Sequence, residues 1–104
     1  MATWIGHLRI AENLLPHIAV PDARHFALGS LAPDCGRKSE DGQGFIPPKE
    51  RSHYVIHEGD RPVFEDLRFY RRYLKDFHSA DDPSRHSFLL AYFIHLTVDG
   101  LWYR

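Results

Sequence analysis

The stretch FLLAYFIHLTVDGLW, residues 88–102, decides the fold, because it is the most apolar segment of the chain. Its apolar side chains extend nearly all round a helical projection, which is typical of a helix that is buried on every side. We therefore expect the central helix of a bundle, running from about Arg85 to the end of the chain. The stretch is shorter than the ~20 residues that a membrane span needs, and His95 and Asp99 interrupt it. The sequence thus predicts no transmembrane segment.

Three further helices are predicted upstream of this stretch. The first begins at the N-cap Thr3 and ends near Leu15, because Pro16 cannot continue it. The second opens at Pro21 and the third at Pro62, since proline suits the first position of a helix. Apolar residues recur at helical intervals in all three segments.

The segment between residues 36 and 59 differs in composition from the rest of the chain. Its glycines and prolines break helices, and its charges favour solvent. We expect a long irregular loop, briefly extended at residues 54–56. The sequence therefore predicts an all-α fold, a small bundle of about four helices with a long irregular loop, in a single domain of residues 1–104.

Composition excludes several classes of protein. The 104 residues carry 13 basic and 14 acidic side chains, a net charge of −1, so the electrostatic footprint of a nucleic-acid-binding protein is missing. A single cysteine, Cys35, rules out an internal disulfide and fits a reducing compartment. No basic region followed by an apolar stretch opens the chain, so no signal peptide is expected. These features predict a cytoplasmic protein.

The eight histidines draw attention to metal binding. His95 and Asp99 are four residues apart, which places them on one helix face, one turn apart, where both can reach the same ion. A buried carboxylate is costly unless a cation or several donors satisfy it. The alternative is that Asp99 merely hydrogen-bonds His95 or a backbone amide.

Three more residues are candidate ligands on weaker grounds. His7 lies on the first helix and is either a ligand or a hydrogen-bonded histidine. Asp34 follows a proline in a turn, where it either caps the local backbone or holds a carboxylate at a site. His53 is either a plain loop histidine or a ligand, and His57 with Glu58 could supply hydrogen bonds around it.

Four segments together resemble the zinc-dependent phospholipase C family, in particular its uncharacterised intracellular bacterial members. They are TWIGHLRIAE at residues 3–12, LGSLAPD at 28–34, SHY at 52–54 and YFIHLTVDGLW at 92–102. The motifs are unspecific individually, but their combined order is fairly specific, and the resemblance spans nearly the whole chain.

The resemblance implies a site and a fold. It implies part of the phospholipase C/P1 nuclease fold, with a cluster of one to three zinc ions between helices. By this resemblance Asp34, His53, His95 and Asp99 bind one zinc, and Asp99 bridges to a second zinc shared with His7. Asp34 is in addition the candidate catalytic residue that orients or deprotonates water.

The chain departs from the family in two places. In secreted members a freed N-terminal tryptophan completes a metal site, whereas Trp4 is internal here. The family's later His and Glu ligands do not follow, because the sequence ends at Arg104. We expect either a fragment of a longer protein or a partner, such as a second copy, that covers Leu101 and Trp102.

The predicted function is a zinc-dependent phosphoester hydrolase of the phospholipase C type, in which metal-activated water attacks phosphorus in a phosphoester or phospholipid headgroup. The alternative is a catalytically inactive metal-binding or protein-interaction module. A third possibility, an HD-type phosphohydrolase, requires an adjacent His-Asp pair, and no such dipeptide occurs.

Overall fold

The computed structural model describes residues 3–102, so both predicted ends of the domain, residues 1 and 104, lie outside the described residues. Over this range the chain forms five helices and four strands. They are α1 (Trp4–Leu14), α2 (Ala23–Leu31), β1 (Arg37–Lys38), β2 (Phe45–Ile46), α3 (Lys49–Ser52), β3 (Val55–Glu58), β4 (Arg61–Phe64), α4 (Asp66–Tyr73) and α5 (Pro83–Trp102). Short 3-10 turns follow α1 at Leu15–His17 and α2 at Ala32–Asp34.

The predicted all-α class is wrong, because the segment expected to be an irregular loop forms two antiparallel hairpins, β1–β2 and β3–β4, around the short helix α3. Gly59 and Asp60 make the two-residue turn between β3 and β4, and the φ of 62° at Gly59 is one that glycine adopts without strain. Pro62 is paired in β4, so the next helix begins at Asp66 rather than at Pro62. The fold is therefore mixed α and β. The strands could not be recognised from the sequence, because two to four residues are too few to show the alternation of apolar and polar side chains.

Helix α5 is the centre of the molecule, as its apolar composition predicts. On one side Ala91 packs with Ala11 of α1 and Phe26 of α2. On another side Leu96 packs with Phe69 of α4. One helix thus joins two hydrophobic clusters. Within residues 3–102 no helix is long and apolar enough to cross a membrane.

Helices α2 and α5 approach each other unusually closely at Gly29. A Cβ atom at this position would lie 2.1 Å from the backbone oxygen of Phe88. Only glycine allows this distance, because any side chain would overlap the neighbouring backbone. The close contact packs α2 tightly against α5 two turns before His95.

Asp22 links the first turns of α2 and α5. Its carboxylate caps α2 by accepting from the His25 backbone N–H, and it also accepts from the His25 ring and from the Ser84 hydroxyl of α5. The Asp22 backbone N–H donates to Ser87. The hydrogen bond from Ser84, followed by that from the His25 backbone, lowers the pKa of Asp22 from 3.8 to about 2.

We expect Asp22→Asn to lower the Tm by a few degrees at pH 7, because asparagine keeps the cap but loses the charge. A lowered pKa means that the contribution is fully present above pH 3.8 and is lost as the pH falls toward about 2. The difference in Tm between wild type and variant, measured by circular dichroism from pH 2 to 7, should therefore vanish at the acid end. A difference independent of pH would contradict a role for the charge.

Candidate metal centre

Helix α1 delivers His7 to the interior. The Thr3 hydroxyl caps the helix by accepting from the Gly6 backbone N–H at 3.1 Å. His7 and Ala11, one turn apart, are the buried residues of α1. Because Ala11 packs with Ala91 while His7 contacts the last two turns of α5, the two helices run antiparallel.

One face of α5 is a buried stripe of small or polar side chains. They repeat every four residues, which places them on the same face of the helix. They are Ser87, Ala91, His95 and Asp99. His95 and Asp99 are 1% and 0% exposed. The stripe faces the closely packed helix α2, so the two candidate ligands lie between helices.

The other two candidates come from the segments on either side of the β1–β2 hairpin. Asp34 ends the 3-10 turn after α2, and His53 directly follows α3. The Nε2 atom of His53 lies 2.8 Å from Oδ1 of Asp34 and 3.9 Å from Oδ2 of Asp99. Two turns that are 19 residues apart in the sequence therefore meet at the α5 stripe.

All five predicted ligands lie together. Nε2 of His95 is 3.6 Å from Oδ2 of Asp34 and 3.3 Å from Oδ2 of Asp99. The other oxygen of Asp99, Oδ1, is 3.0 Å from Nε2 of His7, whose ring stacks on His95 with centroids 3.5 Å apart. The two oxygens of Asp99 thus face different histidines. Two groups of three have the spacing of metal ligands: His7, His95 and Asp99, and Asp34, His53 and His95.

A backbone carbonyl fixes the protonation of His95. The carbonyl of Ser30 lies 2.6 Å from Nδ1 of His95 and can only accept, so Nδ1 carries a hydrogen. In the neutral ring, Nε2 then directs a lone pair at the carboxylates. His53 has a similar arrangement, with its Nδ1 atom 3.1 Å from the Lys49 carbonyl and 2.9 Å from the Ser52 hydroxyl. Metal-binding histidines are commonly oriented by such contacts.

Two buried atoms at the centre lack a hydrogen-bond partner within residues 3–102, Nε2 of His95 and Oδ2 of Asp99. A lone pair and a carboxylate oxygen that face each other at 3.3 Å repel unless a proton or a cation lies between them. Ligands bound to one tetrahedral zinc ion at ~2.0–2.1 Å are about 3.4 Å apart. Four of the nitrogen–oxygen distances among Asp34, His53, His95 and Asp99 are 2.8, 3.3, 3.6 and 3.9 Å, with the two oxygens of Asp34 facing different histidines. These distances bracket that value, and within residues 3–102 the donors whose mutual distances all suit one ion form the two groups of three.

The electrostatics of the centre favour ionised carboxylates. Burial acts to raise the pKa of Asp99, but contacts with His7 and His95 outweigh it and hold that pKa well below its usual range. Burial also opposes the lowered pKa of Asp34, which the contact with His53 and the charge of His95 produce. For His95, burial acts to lower the pKa, but Asp99 and the Ser30 carbonyl outweigh it and raise that pKa. The two carboxylates thus stabilise a positive charge at the centre, either a proton on His95 or a bound cation.

Asp34 is the candidate ligand that is exposed to solvent. Its side chain is 27% exposed, whereas those of His53, His95 and Asp99 are at most 2% exposed. A separate cavity of about 450 Å³ is lined by His53 together with residues of α3, β3 and β4. Solvent therefore reaches the centre at Asp34.

Some expectations about the surroundings of the site are wrong. His57 and Glu58 are exposed on β3, so the partners of His53 are Ser52 and the Lys49 carbonyl instead. The contribution of Ser30 was missed, because a backbone carbonyl has no signature in the sequence. The internal Trp4 is 58% exposed and lies within α1.

Comparison with known proteins identifies no relative. No family model matches the chain, and neither a curated protein nor a solved structure matches it significantly. The resemblance to the zinc-dependent phospholipase C family therefore stays a prediction. What the protein does has to be argued from the geometry of the centre.

Proposed function

We propose that this protein is a zinc-dependent phosphoester hydrolase. The observation that carries the proposal is the pair of buried atoms, Nε2 of His95 and Oδ2 of Asp99, that face each other without a hydrogen-bond partner within residues 3–102. Asp34 and His53 lie beside this pair, and with His95 they form one of the two groups of three donors spaced for a metal ion. A set of histidine nitrogens and carboxylate oxygens at this spacing is typical of zinc.

The residues of the chain have separate roles in this proposal. By the resemblance, Asp34, His53, His95 and Asp99 would hold one ion, and His7 and Asp99 would share a second. The spacing supports two overlapping groups, Asp34 with His53 and His95, and His7 with His95 and Asp99. When bound, zinc supplies Lewis-acid polarisation of water and of phosphate oxygens. Asp34 is the donor with access to solvent, so its carboxylate orients water and accepts its proton. An ionised Asp34 carboxylate can accept that proton.

The substrate we propose is a phosphoester, with a phospholipid headgroup as one member of that class. The lone cysteine, Cys35, fits a reducing compartment, which supports a cytoplasmic setting. Leu101 and Trp102 are 56% and 61% exposed, so a partner or a further part of the chain that covers them remains part of the proposal.

A second candidate is a metal-binding module without catalysis. Its supporting observation is burial, because His7, His53, His95 and Asp99 are each at most 3% exposed. Structural zinc sites are closed in this way, whereas catalytic sites keep an open position. The two candidates differ in what Asp34 does, since a purely structural site has no use for an exposed carboxylate.

The test is metal content followed by turnover. Protein purified without chelators should contain at least about one zinc per chain by elemental mass spectrometry and should hydrolyse bis(p-nitrophenyl) phosphate. Asp34→Asn should lower kcat by about 100-fold or more, because it removes the proton acceptor. His78→Ala, at an exposed histidine away from the centre, is the control and should change neither zinc content nor rate.

Each outcome separates the candidates. Zinc without turnover of any phosphoester would favour the inactive module. Folded protein that contains no zinc and takes none up from micromolar solution would overturn both candidates.

A further inference from the structure

A cavity of about 620 Å³ is lined by none of the five candidate ligands. It lies between the β3–β4 hairpin, α4 and α5, and its walls combine aromatic rings with arginines. We propose that this cavity is a binding site for an organic anion with a flat aromatic body. The inference goes beyond the proposed hydrolase activity and does not depend on a bound metal.

One wall of the cavity is aromatic. Phe69 of α4 stacks on Tyr92 of α5 with ring centroids 4.7 Å apart and planes inclined by 4°. Tyr54 meets Phe69 edge to face at 5.4 Å, and Tyr73 lies 4.8 Å from the same ring. All four rings line the cavity, and flat apolar ligands bind well against such surfaces.

The backbone at Tyr54 is strained where it presents its ring to the cavity. Its φ is 52°, in the left-handed region that a bulky side chain rarely adopts. Such conformations persist where surrounding contacts hold them, and they cluster at functional sites. Here the Tyr54 carbonyl accepts from the Glu65 N–H at 2.8 Å, which ties the start of β3 to the start of α4. This hydrogen bond holds the backbone of Tyr54, and with it the Tyr54 ring, in place beside α4.

Arginines from two helices line the same cavity. Arg51 comes from α3, whereas Arg68 and Arg72 lie one turn apart on α4. Arg72 lies over the ring of Tyr73 at 5.2 Å, so its charge is adjacent to the aromatic wall. Planar guanidinium groups bind carboxylate, sulfonate and phosphate oxygens with paired hydrogen bonds.

The charge balance at the cavity favours an anion. Glu50 and Glu65 also line it, so three arginines against two carboxylates leave a charge of +1. Arg68 pairs with Glu65 at 3.3 Å. Among residues 3–102, Arg51 and Arg72 have no carboxylate within 4.0 Å. Arg72 also contacts the Tyr54 hydroxyl. The cavity thus combines an aromatic wall with two arginines outside carboxylate ion pairs and a net charge of +1, which suits one anionic group attached to a ring system.

The position of the cavity relates it to the candidate metal centre. Cys35 and Gly36, which directly follow Asp34, line it, and so does Ser52, which precedes His53. The hydroxyl of Tyr92 donates to the Ser52 carbonyl and closes this side of the cavity toward the centre. A ligand held by Arg51 and Arg72 would therefore be separate from the centre, and its binding requires only the cavity itself.

The test uses two fluorescent probes that differ only in charge, with a chelator present throughout. Anilinonaphthalene sulfonate carries the anion, and N-phenylnaphthylamine has the same rings without it. We expect saturable binding of one sulfonate probe per chain, about tenfold or more tighter than the neutral probe, because charge-assisted hydrogen bonds are worth this much. Arg72→Gln and Arg51→Gln should each weaken the sulfonate probe by about five- to tenfold and leave the neutral probe unchanged.

The matched control is Arg71→Gln, which makes the same charge change at the neighbouring position of α4, outside this cavity. It should leave the affinity within about twofold, because only long-range charge is lost. Equal binding of the two probes, equal weakening by all three arginine variants, or no saturable binding to folded protein would each overturn the proposal. Because no metal is present in the assay, these results are independent of whether the protein is a zinc hydrolase.

Discussion

Asp99→Asn is expected to abolish zinc binding while leaving the metal-free protein at least as stable as the wild type. The amide oxygen can still accept from His7, which lies 3.0 Å from Oδ1. The amide N–H2 then faces Nε2 of His95, 3.3 Å away in the wild type, and can donate to its lone pair. The substitution thus satisfies the two unpartnered atoms, but it removes the charge that a cation needs.

The opposite result is expected if a proton, rather than a metal, lies between these two residues. His95 would then be an imidazolium paired with Asp99, and breaking a buried ion pair costs about 3–5 kcal/mol. The sign of the stability change in chelator-treated protein therefore distinguishes a metal centre from a buried ion pair. Thermal unfolding of wild type and Asp99→Asn in the same buffer measures it.

Zinc should then stabilise the wild type but not Asp99→Asn. At a free concentration of about 100 times the Kd, a ligand that binds only the folded state stabilises it by about 2.7 kcal/mol. In a domain of this size that corresponds to a rise in Tm of about 10 °C or more. His78→Ala should respond as the wild type does, and Asp99→Asn should not respond. An equal response of Asp99→Asn would remove Asp99 from the ligand set.

Gly29→Ala is expected to be the most destabilising small substitution in the chain. The added methyl group would lie 2.1 Å from the backbone oxygen of Phe88, so α2 and α5 must separate. Overpacking of this kind costs about 1–3 kcal/mol or more, which exceeds the ~1 kcal/mol that alanine gains in helix propensity. We expect the Tm to fall by about 10 °C or the folded yield to be lost. The next residue is Ser30, whose carbonyl holds His95, so zinc affinity should fall as well.

The matched control for this prediction is Gly100→Ala on α5. The nearest atom to an added Cβ there is Cβ of Phe64 at 3.5 Å, which is an ordinary contact. Its Tm should be unchanged or higher, because alanine favours the helix over glycine. A similar loss in both variants would show that helical glycine itself, rather than the approach of α2 to α5, controls the stability.

The helices could be predicted from the sequence to different degrees. Thr3 caps α1 and Pro16 follows its end, as the local signals predict. The second helix begins at Ala23 and not at Pro21, because Asp22 is its N-cap. The hairpins were missed because their strands are stabilised by pairing with a neighbour, and the glycine-rich composition of such a segment is the same in a loop and in a turn.

The candidate site was predictable as a set of residues but not as a geometry. The spacing of His95 and Asp99 places them on one face from sequence alone. Taken singly, His7, Asp34 and His53 could each have had an ordinary structural role, as a hydrogen-bonded histidine, a turn cap and a loop histidine. Only the packing of their segments against α5 shows that the three side chains lie together. The arginine-lined cavity could not be predicted, since Arg51 and Arg72 come from different helices that meet only in the folded chain.

The sequence by itself determined the central helix, the Thr3 cap of α1 and the list of residues able to bind a metal. Each of these depends on neighbours within a few turns of the chain. The tertiary structure decided which of these residues meet, which nitrogen of His95 carries a hydrogen and which atoms are left without a partner. These depend on contacts between residues as many as 92 positions apart, such as His7 with Asp99. Local periodicity carries no information about such contacts, because they are fixed only when the helices pack.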